Sequence, residues 1–387
     1  MAGRSGPTRL TFTRSSNLFY QSLFLYTLIA EYLVNEKIGN NIGVLVPDEG
    51  KHQSLPLISK NPVEAMNGLV LLKQPGCGGE SGDRERTDFM DSLNEPYVIH
   101  YPRIVAVAEE GSSHVELVEF FDCVGGAMWS HHHYVQSPLV ESVRCIGGTM
   151  RYLLRPGSVD LELEGSKFPA GISAVAVDGA EISITYIGMG GGGVGATSCR
   201  DTAQGVLRSK SDESGGGKIA GSTIWLPRRS RVLIGVDDTD TPEEGATWTL
   251  VHNIARAVED DRSVYLSHTI VQLYPVPYRT KNCVSLVAEF ASTDTARLIS
   301  RFQGLLERYT LSEKTGMAVF QGFTPPKALI DFGWKVKTGE IGPGLLDSLK
   351  VENLDIIMNG RGIIGAVAAL PFFTRYEEAL ELCDGRK

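Results

Sequence analysis

A β-prone apolar run that ends in three carboxylates within four residues needs a tip that is open to water, to a cation or to a ligand. Residues 231–240 of this chain form such a run: Arg231-Val232-Leu233-Ile234-Gly235-Val236-Asp237-Asp238-Thr239-Asp240. Gly245 and a helical pattern beginning near Thr247 follow, so the segment reads as a strand whose C-terminal tip opens through a loop into a helix N-terminus. Open α/β sheets bind ligands at such tips. The carboxylates repel one another unless positive charge stands between them, and hard oxygen donors of this type suit Mg2+ held jointly with substrate phosphates. Asp237, Asp238 and Asp240 are therefore candidate metal ligands, Asp237 and Asp238 are also candidate catalytic groups, and Thr239, Thr247 and Thr249 are candidate contacts to a nucleotide. Asp and Thr also cap helices well; that role accounts for one of the three carboxylates.

Residues 1–89 have a different texture from the rest. Residues 18–34 are apolar and helix-compatible, but Gln21, Ser22 and Glu31 interrupt them, and a buried or amphipathic helix is expected rather than a membrane span. Residues 73–87 are polar and Gly-rich and cannot form a core, and Met90 stands directly behind them. The expectation is a poorly structured or spurious extension over 1–89, with the protein proper beginning at or near Met90. The chain carries 46 acidic and 37 basic residues, a net charge of −9, which is the wrong sign for gripping a phosphate backbone over a wide surface. Its 6 cysteines, Cys77, Cys123, Cys145, Cys199, Cys283 and Cys383, include no C-x-x-C pair. That spacing argues against a zinc ribbon or a disulfide framework and fits a reducing cytoplasm.

From Tyr97 the pattern is regular. Residues 98–108, 114–121 and 151–155 read as strands, and residues 175–187 as a hairpin turning at Asp178-Gly179. A mostly antiparallel α+β domain is expected over 90–208. His131-His132-His133, near Cys123 and Cys145, fits a polar loop better than any recurrent zinc spacing. The hairpin runs into Gly188-Met189-Gly190-Gly191-Gly192-Gly193-Val194-Gly195, followed by an expected helix over 202–208. Gly190, Gly193 and Gly195 are candidate phosphate contacts, because consecutive glycines let backbone N–H groups approach an anion closely. A flexible surface loop is the alternative, and the Lys of a Walker loop is absent. Residues 209–230 read as a solvated linker.

Beyond the Asp-rich tip an α/β domain is expected over 231–387. Helices are placed at 247–259, 293–309 and 325–336, and strands at 269–274, 284–290 and 317–321. Arg279 and Lys281 in one loop, and Arg361 at the head of an apolar helix, supply the countercharge that a carboxylate, metal and phosphate site needs, and join the candidate catalytic set.

Four stretches in order, Ile234-Gly235-Val236-Asp237-Asp238-Thr239-Asp240, Pro275-Val276-Pro277-Tyr278-Arg279-Thr280-Lys281-Asn282, Thr315-Gly316-Met317-Ala318-Val319 and Asn359-Gly360-Arg361-Gly362-Ile363-Ile364-Gly365-Ala366, closely resemble the kinase-like and ferredoxin-like domains of archaeal isoleucine-tRNA agmatinylcytidine synthetase. The resemblance implies that the Asp-Asp-Thr-Asp loop binds ATP and Mg2+ and that the second domain includes a ferredoxin-like portion. In that family a nearby Thr takes part in phosphoryl chemistry; here Trp248 falls where the first such Thr is expected. The family's OB-type domain and zinc ribbon have no counterpart before Lys387, which together with the acidic balance argues against tRNA as a partner. From about Tyr97 onward the chain also resembles the methanogenesis marker protein 11 family of methane-producing archaea. Taken together, the expectation is a cytoplasmic enzyme of ATP- and Mg2+-dependent phosphoryl or adenylyl transfer to a small-molecule or protein substrate, with no membrane association. A nucleotide-binding assembly or maturation factor for a methanogenic enzyme is the alternative.

Overall fold

The structure, a computed structural model, describes residues 97–109, 111–342 and 344–381. The expectations for residues 1–89, for a helix over 18–34 and for a start at Met90 lie outside the described residues, as do Cys77 and Cys383. The chain first lays down strands β1 (Arg103–Val107) and β2 (Val115–Phe120), helix α1 (Val124–Tyr134), strands β3 (Val140–Ile146), β4 (Thr149–Leu154), β5 (Gly157–Ser158), β6 (Ala170–Asp178) and β7 (Glu181–Met189), the short helix α2 (Gly191–Ala196) and strand β8 (Arg208–Ser211). Strand β9 (Ile219–Asp237) comes next. It is followed by α3 (Thr247–Val258), β10 (Ser263–Gln272), β11 (Val284–Ser292), α4 (Thr295–Tyr309), β12 (Gly316–Gln321), α5 (Lys327–Thr338), α6 (Gly344–Asp347), β13 (Leu354–Asn359), α7 (Ile363–Ala369) and α8 (Tyr376–Leu380).

The fold is mixed α/β, and a 13-stranded sheet runs through it. β9 is 19 residues long and serves both parts. Its first length pairs with β7 and β8 antiparallel and with β1 parallel. Its last length, from Ser230, pairs antiparallel with β11 on one edge and β12 on the other. Burial changes along it accordingly: Ala220, Ser222, Ile224 and Leu226 alternate with half-exposed neighbours, whereas residues 231–236 are buried on both faces. Residues 209–230, read as a linker, thus hold β8, a turn and the opening length of β9. Three arginines and Pro227 hide that strand from a pattern reading. The helix expected over 202–208 does not form either. Gly205 there has φ +100°, and a Cβ at that position would stand 2.3 Å from the Ile104 carbonyl oxygen, so the segment lies flat beside β1.

Two helical layers clamp the second part of the sheet. Val232, Ile234 and Val236 face α3 and α4, whose Val251, Ile254, Ala255 and Val258 and whose Leu298, Phe302 and Leu306 recur at helical spacing. α4 starts where Asp294 accepts a hydrogen bond from the Arg297 N–H at 3.2 Å. On the other face, Leu233 meets Phe332 of α5 and Ile363 and Val367 of α7. α7 lies almost on the strand: a Cβ on Gly235 would approach the Ala366 carbonyl oxygen to 2.0 Å. In the first part, Tyr134, Tyr152 and Tyr186 are fully buried with Ile104, Leu117 and Ile224. Buried ions join the two parts. Arg151 of β4 donates two hydrogen bonds of 2.9 Å to Glu289 of β11, Arg231 of β9 donates to Glu289 at 3.1 Å, and Arg231 also pairs with Glu116 of β2. Among the described residues no helix is long and apolar enough to cross a membrane.

Candidate functional site

β9 ends at Asp237, opposite Gly316 of β12, and the chain turns out of the sheet at Asp238, whose φ of +55° is rare outside glycine. Aspartate tolerates this left-handed conformation better than most residues. The Asp237 carboxylate accepts the Asp238 N–H at 2.8 Å and rests against α7. So close is the contact that a Cβ on Gly365 would stand 1.8 Å from Asp237 Oδ2, and one on Gly362 would stand 2.8 Å from Asp238 Cβ. Two loops hold the tip in place. Thr315 Oγ1 donates to the Asp238 carbonyl at 3.1 Å, and the Leu311 N–H donates to the Thr239 carbonyl at 2.9 Å.

Asp237, Asp238, Arg279 and Arg361 line one cleft of about 90 Å3 together with Tyr274, Tyr278, Cys283 and Gly365. Arg361 Nε stands 3.9 Å from Asp238 Oδ2, its guanidinium lies 4.7 Å from the Tyr278 ring centre, and its Nη2 donates to the Tyr278 carbonyl at 2.9 Å. Burial, followed by the neighbouring Asp238 charge, pushes the Asp237 carboxyl well above the usual carboxylate range; the Asp238 N–H offsets this in part. Burial also raises Asp238, against the pull of Arg361. In this cleft, burial and the charge of neighbouring carboxylates disfavour the charged form of both carboxyls, which a cation would favour.

Asp240 belongs to an adjoining network. Its Oδ1 accepts from Thr247 Oγ1 at 3.4 Å and Thr280 Oγ1 at 3.3 Å, and Lys281 Nζ stands 3.9 Å from its Oδ2. Thr239 donates through its N–H and its hydroxyl to Thr247 Oγ1, at 3.3 and 3.0 Å. Thr247 thus ties the loop to the first turn of α3, and Thr249 is exposed and lines no part of the cleft. Among the described residues no three His, Cys, Asp or Glu side chains stand close enough to hold a metal ion by themselves. Carboxylate oxygens at Asp237 and Asp238 nonetheless suit Mg2+, which commonly takes one or two carboxylates and completes its shell with water and phosphate. Gly190 and Gly195 lie elsewhere, on a larger cavity that shares no lining residue with this cleft. Gly193 is buried, and a Cβ on it would stand 3.3 Å from the Gly188 carbonyl oxygen. His131, His132 and His133 end helix α1 rather than forming a loop. Tyr278, Thr280 and Thr315 are missing from the sequence-derived candidates, although all three fall inside the quoted motifs; a hydroxyl or ring says little until its neighbours are known.

The elevated Asp237 carboxyl has a testable sign. A group whose folded pKa exceeds its unfolded value opposes folding once pH rises above the unfolded value, about 3.9 for aspartate. Asp237→Asn is therefore expected to raise the Tm of the ligand-free protein at pH 7, with the gain vanishing below about pH 4. Thermal melts of both proteins across that range check it; a lower Tm at pH 7 contradicts this reading.

The TiaS TCKD domain family matches residues 233–306. The uncharacterized protein MJ0921 of Methanocaldococcus jannaschii is 38% identical over 298 residues, covering 75% of this chain and 99% of that protein. Among solved structures, TiaS in complex with a tRNA and ATP is 22% identical over 37% of this chain, with a TM-score of 0.33. A tRNA fluorescent labeling enzyme is 22% identical over 36% of this chain, with a TM-score of 0.31. The chain spans 36% of the length of each. The match to the TCKD domain corrects the expectation against tRNA. A net charge summed over the whole surface does not speak against a local contact with tRNA, so the acidic balance does not rule it out.

Proposed function

Because this chain belongs to the family of the Methanocaldococcus jannaschii protein MJ0921 and carries a stretch of TiaS TCKD type, we propose that it binds Mg2+-ATP at the Asp237–Asp238 tip and transfers a phosphoryl or adenylyl group. The observation that carries this reading is a pair of half-buried carboxyls at a strand tip, raised above the usual carboxylate range, with Arg279 and Arg361 on the same cleft. A bound Mg2+ would supply charge neutralisation between these carboxylates and the phosphates. Asp237 and Asp238 would hold it, and Arg361, stacked on Tyr278, is poised to meet phosphate oxygens without searching through rotamers. Positioning and charge of this kind carry most of a phosphoryl transfer. Thr247 is committed to Thr239 and Asp240, and Thr249 lies outside the cleft. Direct transfer to a bound acceptor therefore fits better than passage through a threonine. The same two observations favour, as the second reading, a factor that binds nucleotide without turnover. The Methanocaldococcus jannaschii relative supports a setting in methane-producing archaea for either reading.

The test is incubation with Mg2+-ATP, with and without bulk tRNA, scoring ADP, AMP or neither, beside calorimetric titration of the wild type and Arg361→Ala. Loss of a charge-assisted bond to phosphate is expected to weaken ATP binding by about ten- to hundredfold. Product with ATP supports the transferase, binding without product the second reading, and no binding by the wild type overturns both.

A further inference from the structure

A cavity of about 990 Å3 lies in the first part of the fold, between α1 and the Gly-rich α2. Tyr101, Phe121, Trp129 and Met189 supply much of its wall, and Ser130 and His133 add polar groups. That volume is at the upper end for a site that encloses a small organic ligand. Its charge is as informative as its size. Among the described residues no lysine lines it, and the one arginine that does is already engaged: Arg200 donates to Glu119 through Nε at 2.6 Å and Nη2 at 3.0 Å, to the Gly195 carbonyl at 2.7 Å and to the Tyr101 hydroxyl at 3.0 Å. Asp122 adds a carboxylate at the exposed rim. A phosphate would enter against this balance. Cβ atoms placed on Gly191 and Gly195 would meet nothing within 4 Å; these two positions leave the space beside the wall open, and their bare backbone lets a flat ring lie against it.

We propose that this cavity is a second ligand site, distinct from the carboxylate cleft, and that it takes an uncharged aromatic small molecule. The proposal does not rest on the nucleotide reading of the Asp237–Asp238 tip. Aromatic side chains give such a ring stacking partners, while an anionic counterpart would have to shed its water with no lysine or unengaged arginine among the described lining residues to meet it.

The experiment compares two probes with one ring system, 2-naphthol and naphthalene-2-sulfonate, titrated calorimetrically against the full chain and against Gly191→Leu and Gly195→Leu. Both glycines sit in a helix without positive φ and with open space beside them, so each substitution is expected to keep or raise the Tm while filling the cavity. The expected result is saturable one-to-one binding of 2-naphthol, binding of the sulfonate weaker by about tenfold or more, and a similar loss of 2-naphthol affinity in both variants. Sulfonate binding as tight as that of 2-naphthol overturns the charge argument on the wild type alone. Unsaturable binding, or full affinity in a folded variant, overturns the site.

Discussion

Glu289→Ala is expected to lower the free energy of unfolding by about 3–5 kcal/mol, because it leaves two guanidinium groups buried without their shared partner. Arg151 and Arg231 both donate to this carboxylate, and Ser267 Oγ adds a bond of 2.8 Å. Burial alone would raise the Glu289 carboxyl, but the two arginines outweigh it and hold the group at about 2. A carboxyl depressed in this way contributes stability above its ordinary value near 4.5 and loses it as pH falls towards 2. Denaturant titrations at pH 7 and across pH 5–2 check both statements, and the variant is expected to show a flattened acid limb. A variant within about 0.5 kcal/mol of wild type at pH 7 contradicts the assignment. The cluster is better read as a registration device than as a source of net stability, since apolar residues of equal volume often do as well in such places. It fixes β2 and β4 against β9 and β11.

Gly365→Ala is expected to disrupt the cleft and to cost about 1–3 kcal/mol, the usual range for forcing a methyl into filled space. The added carbon would overlap Asp237 Oδ2 at 1.8 Å, so one of the two must move. Either the carboxylate swings away from the cleft or α7 lifts. Asp237→Ala removes the opposing atoms, so Gly365→Ala in that background is expected to be nearly neutral, and the difference measures the contact directly. Additive effects on Tm in the double-mutant cycle contradict this.

Much of the second part is legible from residues 231–240 onward. The amphipathic spacing of α3 and α4, and the apolar run that forms the last length of β9, are local signals that burial on one or both faces obeys. The motifs place Asp237, Asp238, Arg279 and Arg361 on one cleft, because strand tips and adjoining loops of a sheet must converge. What the sequence conceals is non-local. Strand β13 carries little alternation between buried and exposed residues and forms only against β12. Arg229 and Arg231 look like surface residues until their partners arrive across the sheet, the carbonyls of Arg262 and Asp261 for one and Glu289 and Glu116 for the other. The aromatic side chains that line a cavity with Gly190, Gly191, Gly192 and Gly195 come from distant stretches of chain, and no local pattern announces them.

Strand β9 also sets an order of events on the ribosome. The strands that complete its first length, β1, β7 and β8, are made before it, and those that complete its last length, β11 and β12, are made after it. The last length therefore leaves the exit tunnel with both edges unpaired and both faces apolar, and at typical synthesis rates it waits on the order of ten seconds for its partners. Unpaired strand edges of this kind recruit other chains. A nascent chain of this protein thus exposes an aggregation-prone strand between the emergence of Asp237 and that of β12, and a chaperone that engages it in that interval has this strand to protect.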